Sequence, residues 1–136
     1  AQFGEVDGGT ASPFLSYWVD YWLARYFPSP PGSDILELNA TESTTVKTLA
    51  TLQEDGTVVV MIANHAVRSS ADNNGSGDPR TVLIDLSAWG PFSSATLLTI
   101  DATTDPAVGP SPQSATPAPQ MEVTLGGYGV SFLTLR

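Results

Sequence analysis

The sequence predicts an all-β fold, an antiparallel β-sandwich of about seven strands preceded by one aromatic-rich N-terminal helix, and three observations predict it. Short apolar runs rich in Val, Ile, Leu and Thr recur between Gly-, Pro- and Asx-containing turns, the rhythm of a sandwich or barrel and not of βαβ units. Only one stretch, near the N-terminus, spaces its apolar residues with a helical period. The chain of 136 residues is long enough for one core without staples, and it contains no cysteine.

Taken in order, residues 1 to 12 are polar and carry Gly4, Gly8 and Gly9, which predicts a loop. Ser12-Pro13 has the form of a helix start, with Ser as N-cap and Pro at the first helical position. The helix is expected to run to about Phe27: Phe14, Trp18 and Trp22 recur every fourth residue, with Leu15, Val19 and Tyr26 near the same stripe. Pro28, Pro30, Pro31 and Gly32 end it, so residues 1–32 read as one unit and residues 33–136 as the sandwich. Strands are expected at Asp34 to Asn39, Val46 to Leu52, Thr57 to Asn64, Thr81 to Leu86, Ala95 to Ile100, Met121 to Leu125 and Gly129 to Leu135. Glu54-Asp55-Gly56 joins the second and third as a hairpin. The stretch Asp105 to Pro119 holds five of the eleven prolines and is expected to be a surface excursion.

The central strand carries the most information. Val58, Val60 and Ile62 face one side and Val59, Met61 and Ala63 the other, so neither side is solvated. Two covering layers are needed, and a partner sheet supplies only one. The helix likewise carries more aromatic surface than a helix on a small sandwich usually hides, which calls for a neighbouring domain in preference to a sugar-stacking platform.

Charge narrows the partners. Fourteen acidic residues against five basic ones give a net charge of −9, which opposes binding to nucleic acid or to anionic membrane surfaces. No apolar run approaches the roughly 20 residues that span a bilayer. A single lysine with abundant Thr, Ser, Gly and Pro points to a secreted or extracellular protein.

An aromatic helix, a Pro/Gly break, a strand ending in Leu36-Glu37-Leu38, an Asp-Gly hairpin whose second strand ends in Asn64, and a terminal Gly126-Gly127-Tyr128-Gly129-Val130-Ser131-Phe132-Leu133-Thr134-Leu135 together resemble the C-terminal end of clan A glycoside hydrolases, of families such as 39, 30, 51 and 79. The resemblance covers nearly the whole chain and implies that residues 16–27 match the last helix of a (β/α)₈ barrel and residues 34–136 the sandwich built beside it. It implies a catalytic barrel as partner, in cis or as a separate chain, with a polysaccharide or oligosaccharide as its substrate. Retaining enzymes of this kind use two carboxylates roughly 5 to 5.5 Å apart. A barrel takes roughly 250 residues, so no catalytic glutamate is carried over onto any position here. Glu5 is read as a solvated loop carboxylate.

Four candidate sites remain. Asp72, Asn74, Ser76 and Asp78 place oxygen ligands at alternate positions before Gly residues, a partial calcium signature; Leu83 stands where a calcium loop has its twelfth-position Glu. Calcium is the one cofactor this suggests. Trp89 and Tyr128 are the aromatic candidates for a glycan contact outside the helix region. Asn39-Ala40-Thr41 and Asn74-Gly75-Ser76 fit the N-glycosylation pattern. His65, the only histidine, has no cysteine or second histidine to share a metal with and is read as a strand-end residue, while Asp85 and Asp101 are read as solvated and not as a catalytic pair. The leading expectation is a non-catalytic C-terminal sandwich of a secreted glycoside hydrolase; an independent carbohydrate-binding module and a self-assembling extracellular structural protein are the alternatives.

Overall fold

The computed structural model describes residues 7, 9–27, 33–39, 41, 44–66 and 77–136. Within them the elements run α1 (Leu15–Tyr26), β1 (Ser33–Leu36), β2 (Val46–Gln53), β3 (Val58–Asn64), β4 (Arg80–Asp85), β5 (Ala95–Ile100), β6 (Gln113–Ala115), β7 (Gln120–Leu125) and β8 (Val130–Leu135).

The hairpin forms where Asp-Gly places it. Gly56 takes φ +82°, a backbone that L side chains rarely adopt, and lets the chain reverse in three residues. The Gln53 N–H donates to the Thr57 carbonyl at 2.8 Å, and Asp55 Oδ1 accepts the Thr57 N–H at 2.9 Å. That backbone bond, with help from the Thr57 side chain, holds the Asp55 carboxyl below the usual carboxylate range.

From this hairpin a six-stranded sheet is built in the order β1-β2-β3-β8-β5-β6, every described pair antiparallel. The ribbon β4-β7 forms the second sheet. The helix begins two residues later than Ser12-Pro13 predicts: Phe14 occupies the N-cap and supplies no side-chain capping bond. The eighth strand, β6, lies inside the proline-rich stretch. It pairs only with β5, and Pro112 and Pro117 flank it outside the ladder, as proline tolerates at a sheet edge.

The two layers that β3 needs are both present in the chain. Val58, Val60 and Ile62 join Val46, Ala50, Ala95, Leu133 and Leu135 on one face, where Leu86, Val123 and Leu125 close over them from the ribbon side. On the other face Met61, Leu98, Ile100 and Phe132 meet Leu15, Trp18, Val19, Trp22, Leu23, Tyr26 and Phe27 of the helix segment. The molecule is therefore three layers deep: helix, six-stranded sheet, ribbon. The register makes this so, because Val60 pairs with Leu133 and Met61 with Phe132, so each face of β3 continues onto β8.

Candidate functional site

Two places combine exposed apolar surface with a defined geometry. The first is α1. Its aromatic rings form a continuous run: Tyr17 stacks on Tyr21 at 6.3 Å, Tyr21 meets Trp22 edge-on at 5.3 Å, Trp22 stacks on Tyr26 at 5.2 Å, and Tyr26 reaches the fully buried Phe132 at 5.4 Å. Trp18 Nε1 donates to the Pro106 carbonyl at 2.8 Å, and Gln53 Nε2 donates to the Tyr26 carbonyl at 3.0 Å. These bonds fasten the helix at both ends. Gly109, at φ +80°, lies so close to Trp18 that a Cβ there would stand 2.6 Å from its ring. The first half of the proline-rich excursion thus clamps the helix and is not a free loop. Even so, no residue of α1 is fully buried, and Tyr21 is 43 % exposed.

The second place is a cleft of about 380 Å³ at one end of the ribbon, lined by Leu86, Ser87, Pro91, Phe92, Pro117 and Pro119 among others. The strand ladder assembles it: Asp85 pairs with Gln120 as the last rung of β4-β7, and the Leu86 N–H donates to the Pro119 carbonyl at 2.7 Å. Two loops far apart in sequence are thereby brought face to face. Trp89 stands in the turn between the lining residues Ser87 and Gly90 and is 48 % exposed. Beside it, Asp85 Oδ1 accepts the Ser87 hydroxyl at 2.6 Å and the Ser87 N–H at 3.0 Å, which hold its carboxyl below the usual range.

The other glycan candidate, Tyr128, lies at the opposite end of the ribbon. The Leu125 end of β7 leads into its turn, and β4 needs roughly 17 Å to run from Arg80 to Asp85. Trp89 and Tyr128 therefore do not share one platform. Tyr128 holds a left-handed backbone at φ 55°, and its ring lies against the backbone of Gly77.

Asp85 and Asp101 are separated in the same way, since Asp101 stands beside Gly126. Asp101 Oδ1 accepts the Thr103 N–H and hydroxyl at 2.8 and 2.7 Å, a closed turn of its own. His65 is exposed just past β3, its backbone N–H bonded to the Thr45 carbonyl at 2.9 Å. Asp72, Asn74 and Ser76 of the calcium reading lie outside the described residues, as does Glu5; Asp78 is half-buried, with its carbonyl held by Asn64. No cluster of three or more metal-ligating side chains occurs among the described residues. Asn39 and Thr41 of the first glycosylation triplet are exposed, and Asn74 of the second lies outside the described residues.

Asn64 has a role that the strand pattern left unassigned. Its side-chain amide, 2 % exposed, donates to the Asp78 and Gly126 carbonyls at 2.8 and 2.9 Å and accepts the Ala66 N–H at 3.0 Å. One buried side chain ties the end of β3, the approach to β4 and the β7-β8 turn. The signal for it was an amide closing an otherwise apolar run.

No family model and no curated protein matches the sequence. Solved structures with the same fold do exist. The chain resembles a glycoside hydrolase family 30 subfamily 8 xylanase from Clostridium acetobutylicum, with a TM-score of 0.71 and 12 % identity, over 99 % of this chain and 31 % of that one. It is similarly close to a GH30 endoxylanase from Clostridium papyrosolvens C71, at TM-score 0.66, 14 % identity and 96 % and 30 % coverage. The catalytic domain of a GH30 xylanase from Talaromyces cellulolyticus gives a TM-score of 0.64 at 16 % identity, over 96 % and 26 %. The fold is thus one that glycoside hydrolase structures contain, and the chain spans less than a third of the length of the structures it matches.

Proposed function

We propose that this chain is the non-catalytic β-sandwich portion of a secreted glycoside hydrolase and that it acts by covering and steadying a catalytic (β/α)₈ barrel. The observation that carries the reading is α1. A helix this rich in aromatic rings, seated on a sheet by one side and without a single fully buried residue, has surface that a further polypeptide would remove from water. The shared fold supports the nature of that polypeptide, because in the glycoside hydrolases the same architecture occupies under a third of a longer chain. The bond-breaking carboxylates belong to the barrel in this account, and xylan is the first polysaccharide to test on the complete enzyme. Among the described residues no helix is long and apolar enough to cross a membrane, and the composition favours an extracellular setting.

The mass of the native particle, with denaturing mass spectrometry of each polypeptide in it, tests this. A barrel-sized companion, of roughly 250 residues, or a continuous chain that includes one is the expected result. A particle made only of 136-residue chains overturns the proposal.

A further inference from the structure

We propose that the outer edge of β4 receives one additional β-strand, an extended segment of the polypeptide that carries the catalytic barrel. The source of that segment rests on the glycoside-hydrolase reading; the place for it is read from the strands themselves.

The two sheets are unequal. Among the described residues six strands face two, and with neighbouring strands about 4.8 Å apart the large sheet is roughly 24 Å across and the ribbon roughly 5 Å. Half-buried apolar side chains of the same core stand on both flanks, Leu36 and Leu52 on β1 and β2, Leu97 and Ala115 on β5 and β6, so the large sheet extends past the ribbon on either side. The centre of this core, under β3 and β8, is closed; its margin is not. One rung shows which ribbon strand borders the margin. Val123 on β7 is 1 % exposed, whereas Val82, directly opposite it on β4, is half-buried.

An edge invites pairing where it is long, regular and unguarded. The edge strand β6 has three residues between prolines, and β1 has four. By contrast β4 runs six residues in unbroken register with β7, contains neither proline nor lysine, and pairs on one side alone among the described residues. Its outward Leu83 is 57 % exposed. A strand laid along it takes up the backbone N–H and C=O groups directed away from β7 and sets alternate apolar side chains beside Val82 and Ile84 over the open margin.

A second copy of the chain does not fit this edge. Pairing β4 with β4 of another copy would drive that copy's six-stranded sheet into the layer that this sheet already fills beyond the ribbon, and each copy carries a net charge of −9. A single extended segment has the required width. The solved structures that share the fold have over two-thirds of their length outside the matched region, ample chain to supply six residues.

Amide-resolved hydrogen exchange on the 136-residue chain and on the native particle, with the mass of the particle measured alongside, tests the proposal. In the chain alone the β4 amides directed away from β7 should exchange rapidly, and in the particle at least a hundredfold more slowly. A photo-reactive benzoylphenylalanine in place of the exposed Leu83 should cross-link, in the particle, to one segment outside the 136 residues. Equal exchange of these amides in the chain and in a particle that contains the barrel overturns the added strand and leaves the barrel reading standing. Slow exchange already in the chain alone, or a cross-link from position 83 to another copy of β4, also overturns it. A particle whose mass shows no barrel-sized companion overturns both proposals, and only that result does.

Discussion

The two faces of the six-stranded sheet are closed by different means. On the ribbon side Val60, Ile62, Leu133 and Leu135 are at most 4 % exposed and every named partner is aliphatic or aromatic carbon. On the helix side Phe132, Leu98 and Ile100 are equally buried from below, yet the helix above them buries none of its own residues completely. That layer also encloses three polar atoms, Trp22 Nε1, Thr51 Oγ1 and Thr134 Oγ1, that have no hydrogen-bond partner among the described residues. Both threonines pair with Val59 across the sheet, so their side chains leave it on the helix side. A buried hydroxyl without a partner costs about 1 to 3 kcal/mol. The ribbon side is a finished core, and the helix side is a joint.

The largest effect that tests this contrast is on the finished face. Val60→Asp buries an unpaired carboxylate among Leu133, Leu125 and their neighbours and should cost several kcal/mol or abolish folding, read by denaturant unfolding. Ser111→Ala, exposed in the proline-rich stretch, should change stability by no more than about 0.5 kcal/mol. Equal tolerance at both positions would break the assignment of the core. Gly109→Ala comes next and acts on the joint. It meets both an unfavourable left-handed backbone and the Trp18 ring, so a loss of about 2 kcal/mol or more is expected, with the near-ultraviolet signal of the tryptophans reduced before the β-sheet signal.

Thr51→Val sharpens the comparison in the other direction. Replacing an unpartnered buried hydroxyl by a methyl of the same shape should raise stability by about 1 kcal/mol, seen as a higher denaturant midpoint with unchanged slope. The smallest effect lies in the hairpin turn. The Asp55 carboxyl is depressed in the folded chain, so its contribution is complete above the ordinary carboxylate range and is lost as pH falls through the lowered value. Asp55→Ala should therefore melt below the parent at neutral pH, and the two curves should converge in strong acid.

Most of the sheet could be read from local pattern. Gly56 and the alternation from Val58 to Asn64 locate the hairpin and both faces of β3 without knowledge of any partner strand. The strand β6 escaped because Pro110, Pro112, Pro117 and Pro119 outweigh three residues that need only one neighbour at an edge. The covering layer over Val59 and Met61 was sought outside the chain because the contact from Tyr26 to Phe132 joins residues more than a hundred positions apart, a distance periodicity does not span. The cleft was illegible for the same reason. Trp89 was visible as an aromatic beside turn residues, but only the β4-β7 register brings Pro117 and Pro119 opposite Leu86 and Phe92.

Native-state hydrogen exchange compares the two faces most directly. In the isolated chain the amides of β3 and β8 should exchange only through global unfolding, while those of α1 should exchange through a smaller opening of lower free energy, and in the native particle α1 should gain protection to the level of the strands. Protection of α1 equal to that of β3 and β8 in the isolated chain, with no further gain in the native particle, would contradict the account: the helix side would then be complete as it stands.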